Sequence, residues 1–241
     1  MTMLQQNYSA YTAEDHQVWG ILFERQMSNL EYTATPAYLE GIRKIQFSKE
    51  RIPDFKEVNA LLKNLTGWSL HPVPGIIPQK EFFELLGQQK FSASTWLRKM
   101  SQLDYLEEPD MFHDVFGHVP LLTNTFFCKF FEALSEIALK HGHNERVVEM
   151  LGRIYWFTVE FGLIKEKDGV LRIYGAGIMS SAGETKFCLS DKPTHLPYNA
   201  RQVMNTNFFN DRIQELYFVI GSFEQLYDSV QEIREVINET I

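Results

Sequence analysis

A chain of 241 residues sits at the upper end of what one hydrophobic core supports, and its 44% apolar and 22% charged residues are those of an ordinary globular protein. The 14% aromatic share, with 19 Phe, implies an interior rich in rings. A net charge of −8, with the basic residues scattered rather than clustered, excludes the electrostatic footprint of a nucleic-acid or anionic-membrane binder and favours small-molecule work.

From the N-terminus, Met1 to Tyr11 has neither the charged start nor the apolar stretch of a signal peptide, and no apolar run approaches the roughly 18 residues that span a bilayer. A cytoplasmic location is expected, with Cys128 and Cys188 as inert, reduced core thiols. Amphipathic spacing predicts helices over Ala13 to Ser28, with Val18, Leu22 and Phe23 on one face, and over Pro36 to Phe47. A third runs from Pro53 through Phe55, Val58, Leu62 and Leu65 and stops at Gly67. Trp68 to Ile77, with Pro72, Pro74 and Gly75, reads as a structured loop, after which Pro78 opens a short helix bearing Phe82 and Phe83. Asn124 to His141 and Glu145 to Leu163 follow as helices, the first ending at Gly142. Val170 to Tyr174 and Glu215 to Ile220 are the best strand candidates. Ser222 with Gln225 forms a capping box for a last helix from Phe223 to Ile237. With no repeat or linker, the expectation is a mainly α fold with a few short strands, one domain over residues 1–241.

The chemistry concentrates in Glu107-Glu108-Pro109-Asp110-Met111-Phe112-His113-Asp114-Val115-Phe116-Gly117-His118, where two histidines and four carboxylates fall within twelve residues. A zinc-protease signature needs His at i and i+4 with a Glu beside the first. Here the separation is five, about 140° apart on an ideal helix, so the rings cannot converge from the middle of a straight one; His113 is expected near the start of a turn and His118 further in. A third ligand is offered by Tyr155-Trp156-Phe157-Thr158-Val159-Glu160-Phe161-Gly162-Leu163, where Glu160 is the one carboxylate in an apolar run. Burying it unpaired would cost several kcal/mol or neutralise it, so it needs a cation: a metal, or an arginine such as Arg153. Two imidazoles and a carboxylate leave half an octahedral shell open, the facial arrangement of non-haem Fe(II), while zinc would prefer a tetrahedral site with one water. The residues alone leave an iron oxygenase and a zinc hydrolase, with Glu108 or Asp114 as its base, both open, beside a binding protein without a productive metal.

Pro-Asp-Met-Phe-His-Asp-Val-Phe-Gly-His-Val-Pro, then Tyr-Trp-Phe-Thr-Val-Glu-Phe-Gly-Leu, then Tyr-Gly-Ala-Gly-Ile-Met-Ser-Ser together resemble the pterin-dependent aromatic amino acid hydroxylases. The similarity runs from about Trp68 to Val230, and its pattern is nearest the bacterial phenylalanine-hydroxylating members, catalytic domains without the regulatory and tetramerisation segments of animal ones. The resemblance implies Fe(II) held by His113, His118 and Glu160, tetrahydrobiopterin or another tetrahydropterin as electron donor, and hydroxylation of L-phenylalanine to L-tyrosine with dioxygen; tryptophan and tyrosine are the nearest alternative substrates. It further implies pterin contacts from Gly75, Ile76, Ile77, Phe82, Asp114 and Tyr155. By the same carry-over Arg98, oriented by Asp110, binds the substrate carboxylate; Pro109, Trp156 and Phe161 surround the substrate ring; Ser180 supports His113 or the amino-acid end; and Glu108 stands beside the iron. Leu106 and Ser92 replace a hydroxyl residue and a pterin-side His of animal members, and Ala182 replaces an aromatic, which bears on substrate preference more than on reaction type. A monomer is expected, since no coiled-coil heptad follows Ile233.

Overall fold

The computed structural model describes residues 4–104, 106 and 108–241. The sequence-based readings of Met1 to Met3 and of Glu107 fall outside them. The fold is mainly α with a few short strands, as expected, and one contiguous apolar cluster runs through it.

Helix α1 (Ala13–Thr33) starts from a complete capping box, Thr12 accepting from the Asp15 backbone and Asp15 from the Thr12 backbone, and continues past the predicted end at Ser28 because Leu30 is fully buried. Helix α2 spans Pro36–Lys44 and α3 spans Phe55–Leu65. Asp54 caps α3 by accepting from Lys56 N at 2.8 Å, which leaves Pro53 outside the helix rather than in its first turn.

The expected loop over Trp68 to Ile77 holds only after Val73; its first half is strand. β1 (Ser69–Val73) pairs in parallel with β2 (Lys90–Ser94), and α4 (Gln79–Gly87) makes the crossover between them. Pro72 misled the reading: in a two-stranded sheet every strand is an edge, where a missing N–H is tolerated.

Helix α5 (Thr125–His141) is capped by the Asn124 side chain, which accepts from Phe127 N. The predicted helix from Glu145 to Leu163 divides into α6 (Glu145–Tyr155), a π-helical turn (Trp156–Glu160) and strand β3 (Leu163–Lys165). β3 pairs antiparallel with β4 (Leu171–Ile173) and lies in a four-stranded sheet with two later strands, β5 (Thr194–Pro197), which the sequence did not announce, and β6 (Leu216–Ile220), in the order β4-β3-β6-β5. Short helices α7 (Ala176–Met179), α8 (Ala182–Phe187) and α9 (Ala200–Met204) fill the connections. The last predicted helix is two, α10 (Phe223–Asp228) and α11 (Val230–Thr240). Only half the expected box forms: Ser222 accepts from Gln225 N, but the Gln225 carboxamide oxygen accepts from Gly221 N instead of Ser222 N.

Among the described residues no helix is long and apolar enough to cross a membrane. Cys128 and Cys188 are both buried and free, and burial pushes the Cys128 thiol up to about 12, so it is inert.

Candidate metal centre

The first histidine motif sits in a π-helical turn, Phe112–His118, rather than in an α-helix. Bonding from i to i+5 brings residues five apart over one another, and it resolves the 140° separation that an ideal α-helix would impose on His113 and His118. The widened turn is secured by packing on both sides. Phe112 and Phe116 are stacked, 4.6 Å between centroids, and are met edge-on by Trp19 and Phe23 of α1. The buried Tyr38 hydroxyl of α2 donates to the Phe116 carbonyl at 2.8 Å.

Three backbone links stitch this turn to β2 and the chain that follows it. Ser94 N donates to Asp114 Oδ2 at 2.8 Å, Met111 N to the Trp96 carbonyl at 2.9 Å, and Arg98 N to Asp110 Oδ2 at 3.0 Å. Asp110 is fully buried; it also accepts from Arg98 Nε at 2.8 Å and Nη2 at 3.0 Å, and from His113 N at 3.2 Å. Its charge is thus neutralised by a two-pronged guanidinium in fixed orientation. Arg98, which without the resemblance reads as an ordinary surface cation, is 8% exposed.

Glu160 arrives from the second π-helical turn. His118 Nε2 lies 3.3 Å from Glu160 Oε1, His113 Nε2 lies 3.6 Å from Oε2, and the two Nε2 atoms are 3.3 Å apart. Among the described residues, these three form the one group of three or more His, Cys, Asp or Glu side chains whose donor atoms converge, all within 4.8 Å. Arg153 is not the partner of Glu160: its guanidinium donates to the Met204 carbonyl and to Asn207. Burial pushes the Glu160 carboxyl up, but His118 and His113 outweigh it and hold the group below the ordinary carboxylate range. Burial, reinforced by Glu160 and Asp114, pushes the Tyr155 phenol well up and keeps it neutral. Asp114 is raised by burial, opposed by His113 and Ser94.

The third motif explains its own glycines. A Cβ at Gly175 would collide with the Glu160 carbonyl, and one at Gly117 would stand 3.0 Å from the Ala176 carbonyl, so this segment packs against both ligand-bearing turns at once. Close approach delivers Ser180, whose hydroxyl lies 2.8 Å from His113 Nδ1 and donates to the Ala176 carbonyl at 2.9 Å. With its proton committed there, Ser180 accepts from His113 Nδ1–H, which leaves His113 Nε2 unprotonated and facing the other donors. Two nitrogen lone pairs and a carboxylate closing on one point fit a cation, and three protein ligands with an open side fit the facial set of non-haem iron.

The other anticipated residues divide by position. Trp156 packs against Phe161 at 4.6 Å beside Glu160, both half-buried. Phe82 on α4 meets Tyr155 edge-on at 5.6 Å, so it stands one ring away from the carboxylate. Gly75, Ile76 and Ile77 form the loop leading into α4, with Ile76 74% exposed, and Pro109 is half-buried before Asp110. Glu108 is exposed and makes no hydrogen bond or ion pair among the described residues, so no packing draws it to the triad. Sequence reasoning missed Ser94, Tyr38 and the close-approach glycines; the glycine spacing in Tyr174-Gly175-Ala176-Gly177 was the available signal for the last.

A family model described as biopterin-dependent aromatic amino acid hydroxylase matches residues 6–241. The phenylalanine-4-hydroxylase of Chromobacterium violaceum is 44% identical over 227 residues, covering 94% of this chain and 76% of the relative. That of Pseudomonas aeruginosa is 43% identical over 232 residues, covering 96% and 87%. The solved structure of the Chromobacterium violaceum enzyme with bound iron(III) and oxidised 7,8-dihydrobiopterin superimposes with a TM-score of 0.92 at 43% identity, covering 98% of this chain and 86% of that one. A chain matched over nearly its whole length, in which His113, His118 and Glu160 converge on one point, belongs to the biopterin-dependent aromatic amino acid hydroxylases.

Proposed function

We propose that this chain is a phenylalanine 4-monooxygenase, converting L-phenylalanine to L-tyrosine with Fe(II), a tetrahydropterin and dioxygen. The observation that carries the reading is the convergence of His113, His118 and Glu160 within 4.8 Å, on elements of a chain at 44% identity to a phenylalanine-4-hydroxylase. When bound, the iron and the tetrahydropterin supply dioxygen activation and the electrons for it.

The chain's own residues hold and orient. His113, His118 and Glu160 hold the metal, and Ser180 keeps His113 in the tautomer that can ligate. Arg98, pinned by Asp110, offers its remaining N–H groups to the substrate carboxylate, a planar fork matched to a planar anion. Pro109, Trp156 and Phe161 enclose the substrate ring and exclude water from it. Phe82 offers its ring to the pterin, with Gly75, Ile76 and Ile77 along its edge and Tyr155 and Asp114 between pterin and metal. A neutral Tyr155 next to Glu160 adds no charge to the site.

The chain works as one catalytic domain, as a monomer and in the cytoplasm, a compartment that its two free, buried thiols suit. Incubation with L-phenylalanine, reduced pterin, Fe(II) and oxygen tests the reaction: tyrosine must form, and must cease in His113→Ala, His118→Ala and Glu160→Ala proteins that retain the fold. Full activity in any of the three refutes the ligand assignment. Sedimentation velocity tests the monomer and cell fractionation tests the compartment.

A further inference from the structure

Away from the triad and the Arg98–Asp110 pair, the side chain of Gln214, 6% exposed, in the segment leading into β6, makes three hydrogen bonds. Its carboxamide oxygen accepts from Trp156 Nε1 at 3.0 Å. Its NH2 donates to the Phe209 carbonyl at 2.7 Å and to the Arg212 carbonyl at 3.1 Å. The two carbonyls dictate the amide's orientation, because a flipped carboxamide would set oxygen against oxygen; the acceptor is therefore turned towards Trp156 and nowhere else. The backbone at Gln214 is pinned as well: its N–H donates at 2.8 Å to Glu184, a carboxylate buried on α8, whose other oxygen accepts from the Tyr217 hydroxyl of β6. The segment curled around this amide carries Phe208, which stacks on Trp156 at 4.4 Å and 16°.

Trp156 lies one turn before Glu160 and packs on Phe161, the residue after it, so its ring forms the apolar wall beside the proposed metal ligand. A half-buried indole could otherwise rotate in χ1 and χ2, and each rotamer would give a different wall. We propose that Gln214 is a specificity-determining positioning residue: its amide locks the Trp156 indole, and with it Phe208, in the orientation that sizes the ring pocket, while Glu184 and Tyr217 anchor the amide from the sheet side. The inference rests on the hydroxylase reading for what the pocket holds, but the clamp itself is independent of it.

The test is a double-mutant cycle with Gln214→Met, which keeps the volume and removes the polar atoms, and Trp156→Phe, which keeps a ring and removes the N–H. The full chain is also read by its indole 1H–15N resonances, that of Trp156 being the one lost in Trp156→Phe. Gln214→Met is expected to shift the Trp156 resonance alone among the four tryptophans. It is expected to raise KM for L-phenylalanine more than it lowers kcat, and to cut the preference in kcat/KM for L-phenylalanine over the bulkier L-tryptophan by about tenfold, the range one misfitted group in an apolar pocket commands. In the Trp156→Phe background the same substitution should add little. An unmoved Trp156 resonance, an unchanged substrate preference in a folded variant, or fully additive effects overturns the proposal. If Gln214→Met does not fold, Trp156→Phe alone carries the test, and an unaltered preference in it overturns the proposal. Failure of the unsubstituted chain to make tyrosine overturns the hydroxylase reading and the pocket assignment with it, whereas the resonance then still reads the clamp.

Discussion

On the metal side of the centre, Asp110, Asp114, His113 and Ser180 each make a hydrogen bond to a different element, and glycines let backbone press directly on the ligand-bearing turns. On the side assigned to the pterin, Ile76 stands 74% exposed, a Cβ at Gly75 would meet nothing within 4 Å, and Phe82 is held by ring contacts alone. The difference follows from what each side must do. Metal ligands function only within about 0.5 Å of their required positions, so they need surrounding structure that leaves no alternative. A flat ring stacks on an aromatic face over a broad range of offsets, and a cofactor that leaves after each turnover needs an open edge.

Each substitution that follows tests that contrast. Replacing Glu160 by Ala, or removing metal with a chelator, should reduce tyrosine formation to background, and readdition of Fe(II) should restore activity to the chelated protein but not to the variant. Asp110→Ala strips the counter-charge from buried Arg98 and should cost about 3–5 kcal/mol of unfolding free energy, read by denaturant titration. Stability within 1 kcal/mol of the parent, by rough count, would show that the metal side is less rigid than its hydrogen bonds imply. Ser180→Ala should weaken Fe(II) affinity by about 10–100-fold while the fold persists, because His113 loses the partner that sets its tautomer. Phe82→Ala should raise the pterin KM by roughly two- to tenfold, the worth of an aromatic contact of about 0.5–1.5 kcal/mol, with L-phenylalanine KM nearly unchanged. Equal changes in both constants would mean that the two sides are not separable.

The smallest effect lies outside both regions. Burial raises the carboxyl of Glu184, against the opposing bonds from Tyr217 and Gln214. A carboxyl raised in the folded state binds its proton more tightly there. Its contribution to stability is therefore present at pH below the ordinary value of 4.5 and is lost as pH rises through the folded-state value. Glu184→Gln keeps the side-chain oxygen that Gln214 uses and removes the charge. It should be the more stable protein at neutral pH, with the gap closing as pH falls into the ordinary carboxylate range; thermal unfolding across that range measures it.

Much of this was legible in the chain. The helices expected from Ala13 and over Asn124 to His141 rest on local apolar spacing, and both form. The isolation of Glu160 in an apolar run marked it as needing a cation, and the resemblance ordered the three motifs. Other features were hidden for identifiable reasons. Pro72 argued against a strand because sequence cannot show that the strand is an edge. The predicted helix turns apolar from Ile154 to Leu163 but for Thr158 and Glu160, and periodicity in such a run cannot reveal a change from α to π to β. Gln214 carries no signal in the sequence, because the partners that give it a role, Trp156 and Glu184, lie 58 and 30 residues away.

By itself the sequence determined which side chains could ligate, that His113 and His118 could not meet on a straight α-helix, and that the carboxylate had to come from another element. Those are matters of residue type and spacing, and they survive any arrangement of the rest. Only the tertiary structure decided how the five-residue spacing is accommodated. A π-helical turn is a strained, rarely populated backbone that no local preference selects; it persists here because stacked Phe112 and Phe116, the Tyr38 hydroxyl, and the Asp110 and Asp114 links to the β2 side hold it from several directions at once.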